Sequence, residues 1–326
     1  MIISQTPYRV SFAGGGTDLP AFYEHEAGAV LSVTINKYMY VTVSNRFDST
    51  TRISYTKTEI AEKLDDIEHT IAREALRLTG LGPYMEITTI GDVPAGTGMG
   101  SSSSLSVGLL NALYAYKGQI VSDEKLAKQA CDIEIDILKN PIGRQDQYAA
   151  AYGGLNYMKF NPDHTVDVDP VPTRPEVMRE LENRLLLLYT GNKRSASDIL
   201  KKQSEGTADR MTVLREMRDL AAEMRSVIGG SGNLDEFADL LHQGWELKRS
   251  LGFGISGQKI NDWYSAARAA GAQGGKLLGA GGGGFLLLIA PPERHNVIRD
   301  ALDRPKEMDI ALDRRGSRIV FVSDRT

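Results

Sequence analysis

One cysteine, Cys131, stands in 326 residues. That excludes an internal disulfide and a cysteine-built zinc site, and nothing points to an oxidising compartment. The five histidines, His25, His69, His164, His242 and His295, lack metal-ligand spacing, so none is assigned to catalysis. Positive charge is not in excess either. The 38 Lys and Arg against 42 Asp and Glu give a net charge of −4 and a pI near 5.8. This balance argues against nucleic acid or an acidic membrane as main partner, while leaving room for a local basic pocket. Long hydrophobic runs are missing. The run 285–290 is far too short to span a bilayer, and the first residues show no basic segment followed by an apolar core. The expectation is a cytoplasmic enzyme or binding protein with no nucleic-acid or membrane partner. Monomer and homodimer both remain open.

Glycine, by contrast, is gathered in clusters. The most informative is Pro94-Ala-Gly-Thr-Gly-Met-Gly-Ser-Ser-Ser-Ser104. Before it, residues 84–90 alternate as a strand. After it, Leu105, Leu109, Ala112 and Leu113 recur at helical spacing. Strand, glycine loop and helix start form an anion site, because glycine lets backbone wrap a phosphate and the helix start offers N–H groups. We expect a serine cap on that helix and a nucleotide triphosphate in the loop. A P-loop would need a lysine after the glycines, and a dinucleotide fingerprint would need glycine where Ser101 stands. A plain strand-to-helix turn remains the simpler reading of this loop alone.

Three further clusters carry chemistry. Residues 7–20 run from a strand through Gly14, Gly15 and Gly16 into Thr17 and Asp18, a carboxylate suited to sugar hydroxyls; a hairpin turn with a solvated aspartate competes. Glu134 and Asp146, twelve residues apart, could hold Mg²⁺ and meet an acceptor hydroxyl, or could be surface charges. Gly279 to Gly284 spells Gly-x-Gly-x-x-Gly, but a strand-type run follows it rather than a helix, so a dinucleotide site is rejected. The pattern elsewhere is α+β. Strands are expected over 1–12, 29–45, 184–190 and 318–322. Helices are expected over 59–79, 123–139, 143–151, 195–228, 234–251 and 292–302. A Pro- and acid-rich stretch, 161–183, suggests halves at 1–180 and 181–326.

Taken in order, the four clusters resemble the GHMP small-molecule kinases, named for galactokinase, homoserine, mevalonate and phosphomevalonate kinases. The resemblance covers residues 4 to about 290. It implies two α+β domains, an N-terminal one like ribosomal S5 domain 2 and a C-terminal ferredoxin-like one, with ATP between them. It further implies phosphates over Gly96, Thr97, Gly98, Met99, Gly100, Ser101, Ser102 and Ser103, and Mg²⁺ on Ser102 and Glu134. Asp146 is then the base, with Arg9 beside it. Gly16, Thr17, Asp18, Gly281 and Gly282 fall to the substrate. In finer detail, 14–20, 35–38, 190–194 and 248–251 are similar to the branch acting on heptose 7-phosphate. Galactokinases carry Gly-Glu-His-Thr-Asp where this chain has Gly14-Gly-Gly-Thr-Asp18, which counts against galactose. The implied activity is ATP-dependent phosphorylation of a sugar phosphate at its anomeric hydroxyl. Fucose- or galactose-type kinases, a non-catalytic sugar and nucleotide sensor and a decarboxylase of the mevalonate branch compete. For the sugar's own phosphate, Lys193 and Arg194 are the first candidates, then Lys37, Arg144, Lys248 and Arg249.

Overall fold

The first strand, β1 (Ile2–Ala13), pairs antiparallel with β2 (Gly28–Asn45), an 18-residue strand that carries most of the first sheet. The computed structural model describes residues 1–191, 207, 210–252 and 254–323. β2 reaches two sets of neighbours along its other edge. Its C-terminal half meets β5 (Met85–Gly91). Its N-terminal half meets β6 (Leu155–Phe160), which pairs with β7 (Val166–Pro170). A small hairpin of β3 (Thr51–Ser54) and β4 (Thr58–Ala61) extends the sheet beyond β5 through a parallel β3–β5 contact. A second sheet has the order β8 (Leu185–Tyr189), β10 (Phe285–Ile289), β9 (Gly274–Leu277), all antiparallel.

Two of the last strands return to the first sheet. β11 (Leu312–Asp313) pairs with β2, and β12 (Arg318–Val322) pairs with β1. The expected division at 180/181 is therefore crossed by the chain's final segment. Its short hydrophobic strand carries no sign in sequence of which sheet it joins.

Alternation in β2, reset where Asn36 and Lys37 interrupt its register with β1, builds two cores at once. Val30, Val41 and Val43 pack with Leu109, Leu110 and Leu113 of the helix Ser101–Tyr116. Leu31, Val33 and Ile35 pack on the opposite side with Leu241 of the helix Leu234–Ser250. β1 changes sides at a register irregularity between Pro7 and Tyr8. Before it, Ser4 Oγ donates to Gly108 O at 2.7 Å, and a Cβ on Gly108 would lie 2.6 Å from Thr6 Oγ1. The helix thus lies directly on this end of β1. After the irregularity, Tyr8, Val10 and Phe12 enter the second core. The residues between them, Arg9 and Ser11, open on the cleft. Irregularities of this kind re-aim side chains where a regular ladder would not.

The helix expected over 59–79 begins only at Thr70, capped by the His69 ring, which accepts from the Ala72 N–H. Ile60 instead sits on β4, exposed, although it falls at helical spacing with Leu64, Ile67 and Ile71. The helix Gln258–Ala269 was not foreseen; its apolar positions Ile260, Tyr264 and Ala267 are few but buried. The segment 161–183 contains β7 and the helix Pro175–Arg184 rather than a bare connection. Of the helix expected over 195–228, the described part is Met211–Gly229.

Candidate active site

All four glycine and carboxylate clusters contribute to one cavity. The first supplies Arg9, Gly16 and Asp18, and the second Gly96, Gly98 and Gly100 to Ser102. The third supplies Gly143, Gln145 and Asp146, and the fourth Lys276 and Gly279.

In the second cluster Gly96, Gly98 and Gly100 all have left-handed backbone, φ 77°, 80° and 78°. Alternating residues of this kind turn successive N–H groups into a concave anion cradle. The helix then starts at Ser101, with Gly100 at its N-cap and no side-chain cap. The expected serine cap is absent because the N-cap position falls to Gly100 and the serine run begins inside the helix. Ser104 Oγ donates to Pro7 O and Ser106 Oγ to Ser102 O. The first N–H groups of the helix are therefore left for a ligand. Ser101 and Ser102 line the cavity, while Met99 and Ser103 are each 1% exposed and face inward. The Thr97 side chain also turns away from the cavity, donating to Pro94 O.

Asp146 lies in the first turn of the helix Gln145–Tyr152. Arg9, 4% exposed, donates from Nε (2.7 Å) and Nη2 (2.6 Å) to its Oδ1, and from Nη1 to Gly98 O (2.8 Å). One guanidinium thus fixes the phosphate loop relative to the carboxylate. Asp146 Oδ2 remains beside Gly100, where an added Cβ would come within 3.2 Å.

Asp18 is buried at the cavity wall and held in place by neighbouring donors. The Gly16 N–H donates to Oδ1 at 2.8 Å and Gln145 Nε2 to Oδ2 at 3.0 Å. Gly143 lies so close that a Cβ there would stand 1.9 Å from Oδ2. Burial pushes this carboxyl up, with the charge of Asp146 adding, against the Gly16 and Gln145 donors.

Glu134 sits in a π-helical turn, Asp132–Ile137, that continues the helix Asp123–Cys131. Gln147 Nε2 donates to its Oε1 at 3.0 Å, while Oε2 is buried without a hydrogen-bond partner. Burial raises its pKa, opposed first by the Ser102 hydroxyl. An uncompensated buried carboxylate oxygen near Ser102 fits a hard cation. Among the described residues no group of three or more His, Cys, Asp or Glu forms a metal cage. A Mg²⁺ carried on nucleotide phosphates and met by one carboxylate and one hydroxyl is consistent with that.

Other sequence candidates are not in the cavity. The Thr17 hydroxyl donates to Gly14 O and accepts from the Ala29 N–H, so it holds the turn together. Gly281 and Gly282 sit against Ile255, whose carbonyl accepts from the Gly282 N–H. The neighbouring glycines brace the phosphate loop. A Cβ on Gly279 would lie 2.4 Å from Gly98 Cα, and one on Gly284 2.4 Å from Thr97 O. Lys193 and Arg194 lie outside the described residues.

Two cavity lysines were underrated. Lys248 and Lys276 are each 6% exposed. Lys248 follows Leu241 and Trp245 on the buried face of its helix, and that i, i+4, i+7 spacing was the available signal. Lys276 lies in β9, all four residues of which are buried.

Residues 62–154 match the model of the GHMP kinases N terminal domain, and residues 215–306 the model of the GHMP kinases C terminal region. A D-glycero-alpha-D-manno-heptose 7-phosphate kinase of Campylobacter jejuni is 32% identical over 91% of this chain and 92% of its own. The bifunctional fucokinase/GDP-fucose pyrophosphorylase of Arabidopsis thaliana is 26% identical over 94% of this chain, which spans about a third (32%) of that protein's length. A crystal structure described as a D-glycero-D-manno-heptose 1-phosphate kinase from Bacteroides thetaiotaomicron superposes with a TM-score of 0.83 at 25% identity. It covers 99% of this chain and all (100%) of its own. Both domain models, a relative matched along nearly its whole length and a common two-domain α+β architecture agree: the chain belongs to the GHMP kinase family and is a sugar kinase that transfers a phosphoryl group from ATP to a sugar hydroxyl.

Proposed function

We propose that the acceptor is D-glycero-D-manno-heptose 7-phosphate and that the γ-phosphoryl group goes to its anomeric hydroxyl. The product is then a heptose 1,7-bisphosphate, a precursor suited to nucleotide-activated heptose synthesis for surface glycans in the cytoplasm. The single observation carrying the kinase chemistry is the Arg9–Asp146 pair against the phosphate loop. Phosphoryl transfer depends mainly on positioning and charge neutralisation. Asp146 Oδ2 accepts the hydrogen bond, then the proton, of the sugar hydroxyl. Arg9 holds that carboxylate and the loop in one frame. Asp18, fixed by the Gly16 N–H and Gln145, orients neighbouring hydroxyls through its remaining acceptor capacity. The loop N–H groups and the start of the 101–116 helix hold the nucleotide phosphates. Ser102 and Glu134 would hold Mg²⁺, which supplies charge neutralisation on the transferring phosphates when bound. The names of the relatives support a heptose phosphate: one specifies a 7-phosphate, the other a 1-phosphate.

The fucokinase relatives keep a fucose- or galactose-type reading open. Coupled ADP release against heptose 7-phosphate, mannose 6-phosphate, mannose, fucose and galactose decides between them. Turnover restricted to the heptose phosphate is expected. Turnover confined to free fucose or galactose discards the heptose reading and keeps the kinase.

Glu134→Gln tests the cation. The variant keeps an oxygen for Gln147 but removes the charge. The Mg²⁺ concentration for half-maximal rate is expected to rise about 10- to 100-fold. Metal-free ADP binding by calorimetry stays unchanged. An unaltered Mg²⁺ requirement removes Glu134 from that role.

A further inference from the structure

The cavity wall built by the C-terminal half carries two buried ammonium groups that the transfer step itself does not use. Lys248 comes from the end of the 234–250 helix and Lys276 from β9. Lys248 Nζ donates to Gly279 O, and Lys276 Nζ to Phe12 O at 3.0 Å. An ammonium has three donors, so both retain hydrogen-bonding capacity beyond these carbonyls. Among the described residues, no carboxylate forms an ion pair with either lysine. In the cavity, three cations (Arg9, Lys248 and Lys276) face two carboxylates (Asp18 and Asp146), and Arg9 is already paired with Asp146. A surplus of buried positive charge is unfavourable unless an anion arrives to meet it.

Lys276 is tied to Phe12, on the strand that leads directly into the Gly14–Asp18 turn, and Lys248 lines the same cavity, which puts the pair beside the acceptor side. Burial lowers Lys248 to about 8, with Arg9 adding and Asp18 opposing. Lys276 is pushed well down by burial, then by Lys248 and Arg9, again against Asp18. Asp18 belongs to the sugar side of the cavity. The nucleotide phosphates already have the loop and the helix start. A neutral sugar would give two buried ammonium groups nothing to neutralise.

We propose that Lys248 and Lys276 form the subsite that recognises the phosphate already present on the acceptor, and so select phosphorylated over free sugars. This rests on the reading that a sugar hydroxyl is phosphorylated beside Asp146. Of the cations considered from sequence it keeps Lys248, and it adds Lys276, as a buried pair inside the cleft. Phosphate binding would satisfy the remaining ammonium donors and cancel the surplus charge. It would also draw β9 and the 234–250 helix, both from the C-terminal half, onto the acceptor.

Lys248→Met and Lys276→Met remove the charges while retaining apolar bulk. Steady-state kinetics would be run with heptose 7-phosphate, free heptose and ATP. For each variant, KM for heptose 7-phosphate is expected to rise about 30-fold or more, with KM for ATP within about 3-fold of the starting enzyme. The loss on free heptose is expected to be much smaller, about 5-fold or less. Equal losses on phosphorylated and free heptose, or a loss falling on ATP, overturn the subsite. If a variant fails to fold, the unmodified enzyme still decides. Calorimetry should show heptose 7-phosphate binding about 100-fold more tightly than free heptose, and equal affinities overturn the proposal. Turnover of a different sugar phosphate, lost in the same way in the lysine variants, sinks the heptose reading and keeps the subsite. Turnover of free sugars alone sinks both. Full heptose 7-phosphate activity in the lysine variants sinks the subsite and keeps the heptose reading.

Discussion

Asp146→Asn lowers kcat about 10³-fold and leaves KM for ATP within about 3-fold. The contrast follows from which oxygen does what. Oδ1 takes both contacts from Arg9, and an asparagine oxygen in the same position accepts them equally well. Arg9 Nη1 continues to hold Gly98 O, so the phosphate loop keeps its shape. The loss is confined to Oδ2, where the amide presents N–H to a hydroxyl that needs an acceptor. Nucleotide binding is therefore spared and the chemical step is not. Rapid-quench measurement of a single turnover isolates that step from product release. A single-turnover rate within about 10-fold of the starting enzyme would remove Asp146 from proton transfer.

The sequence exposed what depends on spacing and hid what depends on burial. Gly14 to Asp18, Gly96 to Ser102 and the Glu134–Asp146 pair were legible because backbone wrapping and carboxylate placement require particular residue types at fixed separations. The meeting of Asp18, Gly96, Gly98, Ser102 and Asp146 in one cavity follows from the pairing of β1 with β2 and from the helices laid on it. Individual roles inside each motif were less legible. Thr17 and Asp18 are adjacent, yet the Thr17 hydroxyl ties its turn to Gly14 and Ala29, while the Asp18 carboxylate lines the cavity. Gly281 and Gly282 looked like ligand contacts. In the fold the glycines around them let two backbones touch, a need that composition cannot distinguish from ligand approach. Lys248 ranked behind Lys193 and Arg194, and Lys276 drew no role, because lysine is rarely buried and neither position looked like a cavity wall. Only the apolar stripe through Leu241 and Trp245 marked Lys248 otherwise. The return of β12 to β1 depends on long-range pairing, about which a five-residue strand says nothing on its own.

The backbone contact between the two glycine loops gives the second large effect. Gly98→Ala should raise KM for ATP about 30-fold and lower kcat about 100-fold, whereas Gly96→Ala should cost far less. Both positions are left-handed, so alanine strains each by about 1–2 kcal/mol. Only Gly98 also has backbone against it. Its Cβ would stand 2.6 Å from Leu278 O and 3.0 Å from Gly279 Cα, while nothing lies within 4 Å of a Cβ on Gly96. Neither neighbour at Gly98 can rotate away, so one loop must move. Movement of residue 98 carries its carbonyl off Arg9 Nη1, and Arg9 is what holds Asp146 Oδ1. The disturbance thus passes from the nucleotide cradle to the carboxylate that meets the acceptor, and both kinetic constants suffer. Strain alone at Gly96 has no such route. Equal kinetic losses in the two variants would mean that left-handed backbone, rather than contact with the 278–284 loop, governs the cradle. The reverse ranking would mean that this loop does not brace it.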